Sequence, residues 1–223
     1  MKRRIITTSD GSKTIHLEEW NEQYHSKHGA IQEAYHVFIE HGLNRFHNQD
    51  VSLLEIGFGT GLNALISLIE AKKIGLTLNY VGVEAYPVPE KEIKGLNYIE
   101  CLEVKNFKDS FSLMHSSDWN KSIEIDSHFK LTKQKKDFSA ICDIDLFNLI
   151  YFDAFGARVQ PELWTVSVFQ RMYTALKSNG ILVTYSAKGS VRRAMQEVGF
   201  VVERLPGPPG KREMLRAIKK EIP

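Results

Sequence analysis

Residues 51–61, Val-Ser-Leu-Leu-Glu-Ile-Gly-Phe-Gly-Thr-Gly, constrain this chain more than any other stretch. Val51 to Ile56 is a short apolar run of the length of a buried strand. Gly57, Gly59 and Gly61 follow at alternate positions, and Leu62 to Lys73 then carries Leu62, Leu65, Ile66 and Ile69 at helical spacing. The expected order is strand, glycine loop, helix. A loop without Cβ atoms lets a ligand come close to the backbone, and the start of a helix offers that ligand free N–H groups.

The glycine spacing narrows the ligand. The dinucleotide fingerprint G-x-G-x-x-G/A would put its third glycine at position 62, which is Leu62. Here the order is G-x-G-x-G, preceded by Glu55. It resembles the first motif of class I S-adenosyl-L-methionine (SAM) methyltransferases, E/D-x-G-x-G-x-G. The competing reading is a tight strand-to-helix turn that holds no ligand.

At 223 residues the chain is long enough for one domain with a sizeable core. No apolar run approaches the ~20 residues of a membrane span, and the N-terminal Met-Lys-Arg-Arg-Ile-Ile-Thr-Thr lacks the apolar stretch of a secretory signal. No membrane partner is expected. Cys101 and Cys142 form no metal or redox motif, and a reduced, cytoplasmic setting fits them. The net charge of +2 is unevenly placed. Residues 190–223 hold eight Lys or Arg and four Asp or Glu, a net of +4, while the remainder has 21 against 23, a net of −2. A basic C-terminal end points to an anionic partner such as nucleic acid; an ordinary solvated surface is the other explanation.

Taken in order, Arg3 to Thr8 and Lys13 to Leu17 read as a hairpin turning at Asp10-Gly11. Trp20 to Gly29 reads as a loop. Ile31, Ala34, Tyr35 and Phe38 recur at helical spacing up to Gly42. Residues 1–48 are therefore expected as a hairpin-and-helix extension packed on the core of a single domain, 1–223. Leu76 to Val83 is a second strand ending in Glu84, 23 residues past Gly61. In a doubly wound fold an acid at that tip can accept hydrogen bonds from ribose hydroxyls. Lys91 to Cys101 reads as helical, and Ser110 to Ile125 as helices and loops. Phe129 to Thr132 is a third strand, and Asp137 just past it is placed either to accept from an adenine amino group or to cap the segment starting at Phe138. Leu146 to Phe152 reads as a buried central strand ending in Asp153-Ala-Phe-Gly156, at the kind of strand terminus where open α/β sheets bind ligands. Helices over 164–176 and 190–198, a strand over 181–185 and a last pair over 200–205 and 213–218 complete the chain. A final hairpin after an alternating βα chain implies an antiparallel last strand, so the expected fold is an α/β class I methyltransferase with a mostly parallel seven-stranded sheet.

Several blocks carry a closer likeness: Glu-Gln-Tyr-His-Ser at 22–26 with Gly29-Ala30, Glu-Ile-Gly-Phe-Gly-Thr-Gly-Leu-Asn at 55–63, Asp-Ala-Phe at 153–155, Pro-Glu-Leu-Trp at 161–164, Tyr-Ser-Ala-Lys-Gly at 185–189 with Val-Arg-Arg at 191–193, and Gly-Lys-Arg-Glu-Met at 210–214. With these the sequence resembles, over nearly its whole length, the methyltransferase domain of the bifunctional tRNA-modifying enzyme MnmC and its stand-alone relatives. The resemblance implies SAM-dependent methylation of the aminomethyl group of a wobble uridine in tRNA, giving 5-methylaminomethyl-2-thiouridine. The candidate cofactor residues are then Glu55, Gly57, Phe58, Gly59, Gly61, Asn63, Glu84 and Asp153, with Asp137 on its adenine reading, and with Tyr24 and Ser26 closing over SAM or substrate. The bifunctional enzyme also carries a flavin-dependent oxidase domain, for which this sequence has no room, so a methyltransferase alone is expected. The loop after Asp153-Ala-Phe reads Gly-Ala-Arg-Val-Gln, a departure from the bifunctional form at the substrate's border.

The residues suit that chemistry. Methyl transfer from a sulfonium to an amine is an in-line displacement that needs alignment and a free lone pair; proximity alone supplies ~7–11 kcal/mol. Asp153 is the candidate catalytic group, holding the amine and easing proton loss. Phe155 is placed to stack on the uracil, as aromatics do on splayed bases, or to serve the core. Lys211, Arg212, Arg192 and Arg193 are candidate contacts to tRNA phosphates. His25 and His28 lack a third ligand nearby, so no metal is expected. Two alternatives remain: a class I methyltransferase or aminopropyltransferase acting on a small-molecule amine, and a non-catalytic RNA-binding module, against which the intact glycine loop, Glu84 and Asp153 argue.

Overall fold

The computed structural model describes residues 2–221. Strands β1 (Arg3–Thr7) and β2 (Lys13–Leu17) pair antiparallel about Asp10-Gly11, as the turn chemistry dictates. A two-residue strand β3 (Glu22–Gln23) adds to β2 where the sequence reads only as loop. Helix α1 (Ala30–Ala34) continues into a π-helical turn, Tyr35–Glu40. Then come β4 (Asp50–Ile56), α2 (Leu62–Lys73) and β5 (Thr77–Glu84), the strand–loop–helix–strand unit read from the glycine spacing. The polar region after it breaks into short helices α3 (Glu90–Ile93), α4 (Tyr98–Cys101) and α5 (Lys108–Ser116), followed by the hairpin of β6 (Ser122–Asp126) and β7 (Phe129–Lys135). The last third alternates: β8 (Phe147–Phe152), α6 (Val166–Ala175), β9 (Leu176–Thr184), α7 (Gly189–Glu197), β10 (Val201–Pro206) and β11 (Glu213–Ile218).

The main sheet runs β10-β11-β9-β8-β4-β5-β7-β6. Its five central strands, β9 to β7 in that order, are mutually parallel. The final hairpin is antiparallel, with β11 seated between β10 and β9. The sheet has eight strands where seven were expected, because β6 adds an antiparallel edge to β7. Its five residues alternate Ile123 and Ile125 with Ser122, Glu124 and Asp126, a half-buried edge pattern that is easily read as loop. A second difference concerns β9. Helix α6 stops at Ala175 and the chain enters the strand at once; Ser178-Asn179-Gly180 is an irregularity inside it, Asn179 having φ 63°, between the pairs Phe147↔Leu176 and Leu149↔Ile181.

Central strands are apolar on both faces because both are covered. Leu53, Tyr80 and Tyr151 face the layer containing α2 and the π-helical turn, while Leu54, Val81 and Ile150 face α6 and α7. From β4 the chain proceeds to β5 on one side, and β8 lies on the other. The crevice between the carboxyl ends of β4 and β8 is thus the switch point at which such sheets bind ligands. The sheet of β1, β2 and β3 is pinned to the neighbourhood of this crevice by Arg158, whose Nη2 donates to the Trp20 and Asn21 carbonyls at 3.0 and 3.1 Å and to Glu22 Oε2 at 3.0 Å. Among the described residues no helix is long and apolar enough to cross a membrane.

Candidate functional site

A cavity of about 1050 Å³ opens at that crevice. The glycine loop forms one wall, the ends of β5 and β8 supply Glu84 and Asp153, and the N-terminal segment contributes Trp20, Tyr24, His25, Ser26 and Glu33. Gly57 is where side chains are forbidden. Its φ is 92°, and a Cβ there would lie 2.7 Å from the carbonyl oxygen of Asp153. The contact is enforced from both sides, since Gly57 N donates to Val83 O at 3.0 Å and Asp153 N to Ile56 O at 2.9 Å. The close approach of β4 and β8 is therefore what sets the first glycine of the motif.

A buried polar chain reaches the cavity from the core. Tyr80 donates its hydroxyl to Glu55 Oε2 at 2.7 Å, and Asn63 Nδ2 donates to Glu55 Oε1 at 3.0 Å and to Asp153 Oδ2 at 2.9 Å. Burial pushes the Glu55 carboxyl well above its usual range. Burial also pushes the Asp153 carboxyl up, to about 7, with the Glu33 charge acting in the same direction and the Asn63 hydrogen bond and Lys211 opposing. Asn63 Oδ1 is buried and has no protein partner, although Asn63 lines the cavity.

Glu84 is fastened to the loop: Oε2 accepts from Gly59 N at 3.0 Å and Oε1 from Tyr86 N at 2.9 Å. Asp137 lines the cavity and also caps the 3-10 turn Phe138–Ala140, accepting from Ser139 N at 2.8 Å, so the capping reading of this residue holds. Phe155 stands edge-to-face with two rings, Tyr24 at 5.0 Å and Trp20 at 5.6 Å between centroids. Ser26 uses its hydroxyl to accept from His28 N at 3.1 Å, and its own N–H donates to Glu33 Oε1 at 3.1 Å.

Not every expected site residue meets the cavity. Glu55 and Gly61 are absent from its lining; Glu55 acts through Asn63, and Gly61, with φ 73°, packs against His115 and Phe58. Arg192, Arg193 and Arg212 also lie outside it. Lys211 does reach the cavity, but it turns inward: its Nζ pairs with Glu33 Oε2 and lies 3.8 Å from the centre of the Tyr185 ring. A buried carboxylate such as Glu33, 7 % exposed, requires a counterion, and Lys211 supplies it in place of the expected phosphate contact. His25 is a strut, its ring nitrogens 2.9 Å from Thr14 Oγ1 and 3.4 Å from Thr60 Oγ1, and burial holds its pKa down to about 4. Three metal-type donors do converge elsewhere, His36, Glu40 and His41 on and beside the π-helical turn, and none of them lines the cavity.

Glu33 and Tyr185 were not among the site residues read from the sequence. The signal for Glu33 was present: Ala30, Glu33, Ala34 and Val37 repeat at i, i+3, i+4, i+7, so an acid occupies the buried stripe of α1. An acid in such a stripe is expected only where it has a partner.

Comparison with known proteins follows the same line. A family model described as S-adenosyl-L-methionine-dependent methyltransferase matches residues 105–220. The tRNA 5-methylaminomethyl-2-thiouridine biosynthesis bifunctional protein MnmC of Leptospira interrogans is 31% identical over 211 residues, covering 89% of this chain and 32% of that protein. MnmC of Nitrosospira multiformis is 26% identical over 215 residues, covering 91% and 35%. The chain thus spans about a third of the length of these relatives. Among solved structures, MNMC2 from Aquifex aeolicus aligns with a TM-score of 0.76 at 24% identity, over 100% of this chain and 72% of that one. Spermidine synthase from Thermotoga maritima aligns at 0.60 and 15% identity, over 99% and 70%, a likeness of fold.

Proposed function

The chain belongs to the S-adenosyl-L-methionine-dependent methyltransferase family as an MnmC-like member, and from that premise we propose that it methylates the aminomethyl group of a wobble uridine in tRNA, giving 5-methylaminomethyl-2-thiouridine. The observation that carries this reading is the placement of Asp153 and Phe155, an acid and an aromatic ring two residues apart at the mouth of the central strand, in one cavity with the glycine loop. At about 1050 Å³ the cavity lies at the upper end of the range for small-ligand sites, ~300–1,000 Å³, and so has room for a donor and a splayed nucleoside together.

The donor set fits SAM. Glu84 ends β5 where ribose hydroxyls would be held, and Asn63 Oδ1 is an acceptor without a partner, suited to the cationic amino-acid end. Bound SAM supplies an electrophilic methyl group. The chain's residues do the rest. Asp153 accepts a hydrogen bond from the substrate ammonium and takes one proton from it; rotation about the CH2–N bond then turns the freed lone pair toward the methyl while a remaining N–H stays hydrogen-bonded to the carboxyl. A carboxyl held near neutrality is matched to that task, because a general base works best with a pKa close to the operating pH. Phe155, steadied by Tyr24 and Trp20, offers the uracil a stacking face, and the walls exclude water.

The test is methyl transfer from labelled SAM to tRNA bearing 5-aminomethyl-2-thiouridine, read by mass spectrometry of the nucleosides. Label appearing only in a small-molecule amine such as a polyamine, and none in the tRNA, would overturn the reading. Two substitutions sharpen it. Glu84→Ala lowers SAM affinity roughly tenfold or more, since hydrogen bonds to a charged group are worth ~1.5–3 kcal/mol; calorimetry finding unchanged affinity in the folded variant removes Glu84 from the site. Phe155→Ala weakens tRNA binding by ~1–3 kcal/mol, the worth of one stacked base, with SAM affinity intact; equal loss of both would assign Phe155 to the core instead.

A further inference from the structure

The ion pair inside the cavity is the feature that the proposed reaction leaves unused. We propose that the Glu33 carboxylate and the face of the Tyr185 ring form the receptor for the substrate's aminomethyl ammonium, and that Lys211 fills this receptor until the substrate displaces it. The inference rests on the reading of the substrate as a primary amine.

Three observations carry it. First, the receptor is built in advance. Glu33 is buried and oriented by Ser26 N on Oε1, which leaves Oε2 for the cation. Tyr185 donates its hydroxyl to Ala154 O at 2.8 Å, which fixes the ring plane. A carboxylate on one side and an aromatic face on the other is a site for an ammonium ion. Second, the occupant has the right chemistry. A lysine side chain ends in –CH2–NH3+, the same group as a protonated aminomethyl substituent. Lys211 Nζ lies 3.8 Å from the Tyr185 ring centre and pairs with Glu33. Third, the occupant has a way out. The Lys211 side chain is 31% exposed against 9% for the Glu33 side chain, and it is carried by the Pro206-Gly-Pro-Pro-Gly210 turn between β10 and β11 rather than by a core element.

The exchange conserves charge. Glu33 and Asp153 both line the cavity that Lys211 enters, and each feels Lys211 as a nearby positive charge. When the substrate ammonium replaces that of Lys211, one cation replaces another and Glu33 is never left unpaired. A permanent strut would instead leave the substrate ammonium beside the like charge of Lys211. Displacement also gives selectivity: an unmodified uridine has no ammonium to offer and leaves Lys211 in place.

The experiment reads Lys211 directly in the wild-type protein. Without any methyl donor, so that no turnover occurs, lysines are acetylated with a mild active ester in excess over all amines present, and the label on Lys211 is read by mass spectrometry relative to that on exposed lysines. Addition of tRNA bearing 5-aminomethyl-2-thiouridine is expected to raise labelling of Lys211 at least threefold, and the same tRNA with plain uridine to leave it unchanged. Benzylamine, an aromatic –CH2–NH3+ without RNA, is expected to act like the modified tRNA. Labelling that stays flat with both amines overturns the inference. If labelling rises with benzylamine while the wild type transfers no methyl to tRNA, the amine receptor stands and the tRNA reading falls. As a second measurement, Glu33→Gln should raise KM for the modified tRNA at least tenfold, whereas Lys211→Met, which removes the competing ammonium, should lower it. An equal rise in both variants means that Lys211 is a fixed part of the site and overturns displacement.

Discussion

Asp153→Ala lowers turnover on aminomethyl-uridine tRNA by ~10²-fold or more while SAM still binds, because the carboxylate acts on the amine and not on the donor. Near-normal turnover in the folded variant would dismiss the catalytic role. The environment of Asp153 adds a pH signature. Its carboxyl is pushed up to about 7, by burial first and the Glu33 charge second. The ionised form is the one that accepts the proton, so the wild-type rate should fall as pH drops through about 7. For stability the sign is opposite. Between the model-peptide value, 3.8, and about 7 the folded protein holds a proton that the unfolded chain has released. Folding stability from this group is therefore full below 3.8 and declines as pH rises toward 7. Asp153→Asn removes that decline, so it should melt higher than the wild type at pH 7.5 while turning over far less. A lower melting temperature would show that the carboxylate stabilises the fold instead.

Much of this was legible in the sequence, and the parts that were not share a cause. The glycine loop announced itself because backbone geometry leaves no alternative: at Gly57 a Cβ would strike Asp153 O. Glu84 and Asp153 followed from strand ends alone, since sheet topology puts such residues at one crevice. What escaped depends on contacts distant in sequence. Strand β3 exists only by pairing with β2, and β6 only as an edge on β7. The direction of Lys211 depends on Glu33, 178 residues away; from local sequence a lysine in a Pro/Gly turn reads as a surface charge. The π-helical winding of Tyr35–Glu40 has no mark in the apolar spacing, which fits an ordinary helix. Glu55 shows the same limit differently. It holds the motif position, yet Tyr80 and Asn63 donate to its two oxygens and it does not line the cavity.

That last arrangement yields the other large effect, in Asn63→Leu. Among the described residues Asn63 alone joins Glu55 to Asp153 by hydrogen bonds, through one amide group that donates at 3.0 and 2.9 Å. Leucine keeps the side chain's branching at Cγ but has no donor, so both hydrogen bonds are removed without truncating the side chain. Two consequences separate. Glu55, already pushed toward its neutral form by burial, keeps Tyr80 as a donor and tolerates the loss. Asp153 loses the hydrogen bond that favours its ionised form and keeps the burial and the Glu33 charge that disfavour it. A hydrogen bond to a charged group is worth ~1.5–3 kcal/mol, or about one to two pKa units. The acid limb of the pH–rate profile should therefore move upward from about 7 by roughly one to two units, costing about five- to fiftyfold in rate at neutral pH and recovering in part at pH 9. SAM affinity should fall as well, since Asn63 Oδ1 is the unpartnered acceptor in the cavity. Measuring kcat against pH at saturating SAM isolates the first effect from the second. A uniform loss at every pH, with the acid limb unmoved, would mean that Asn63 only binds the donor and that the ionisation of Asp153 is governed elsewhere.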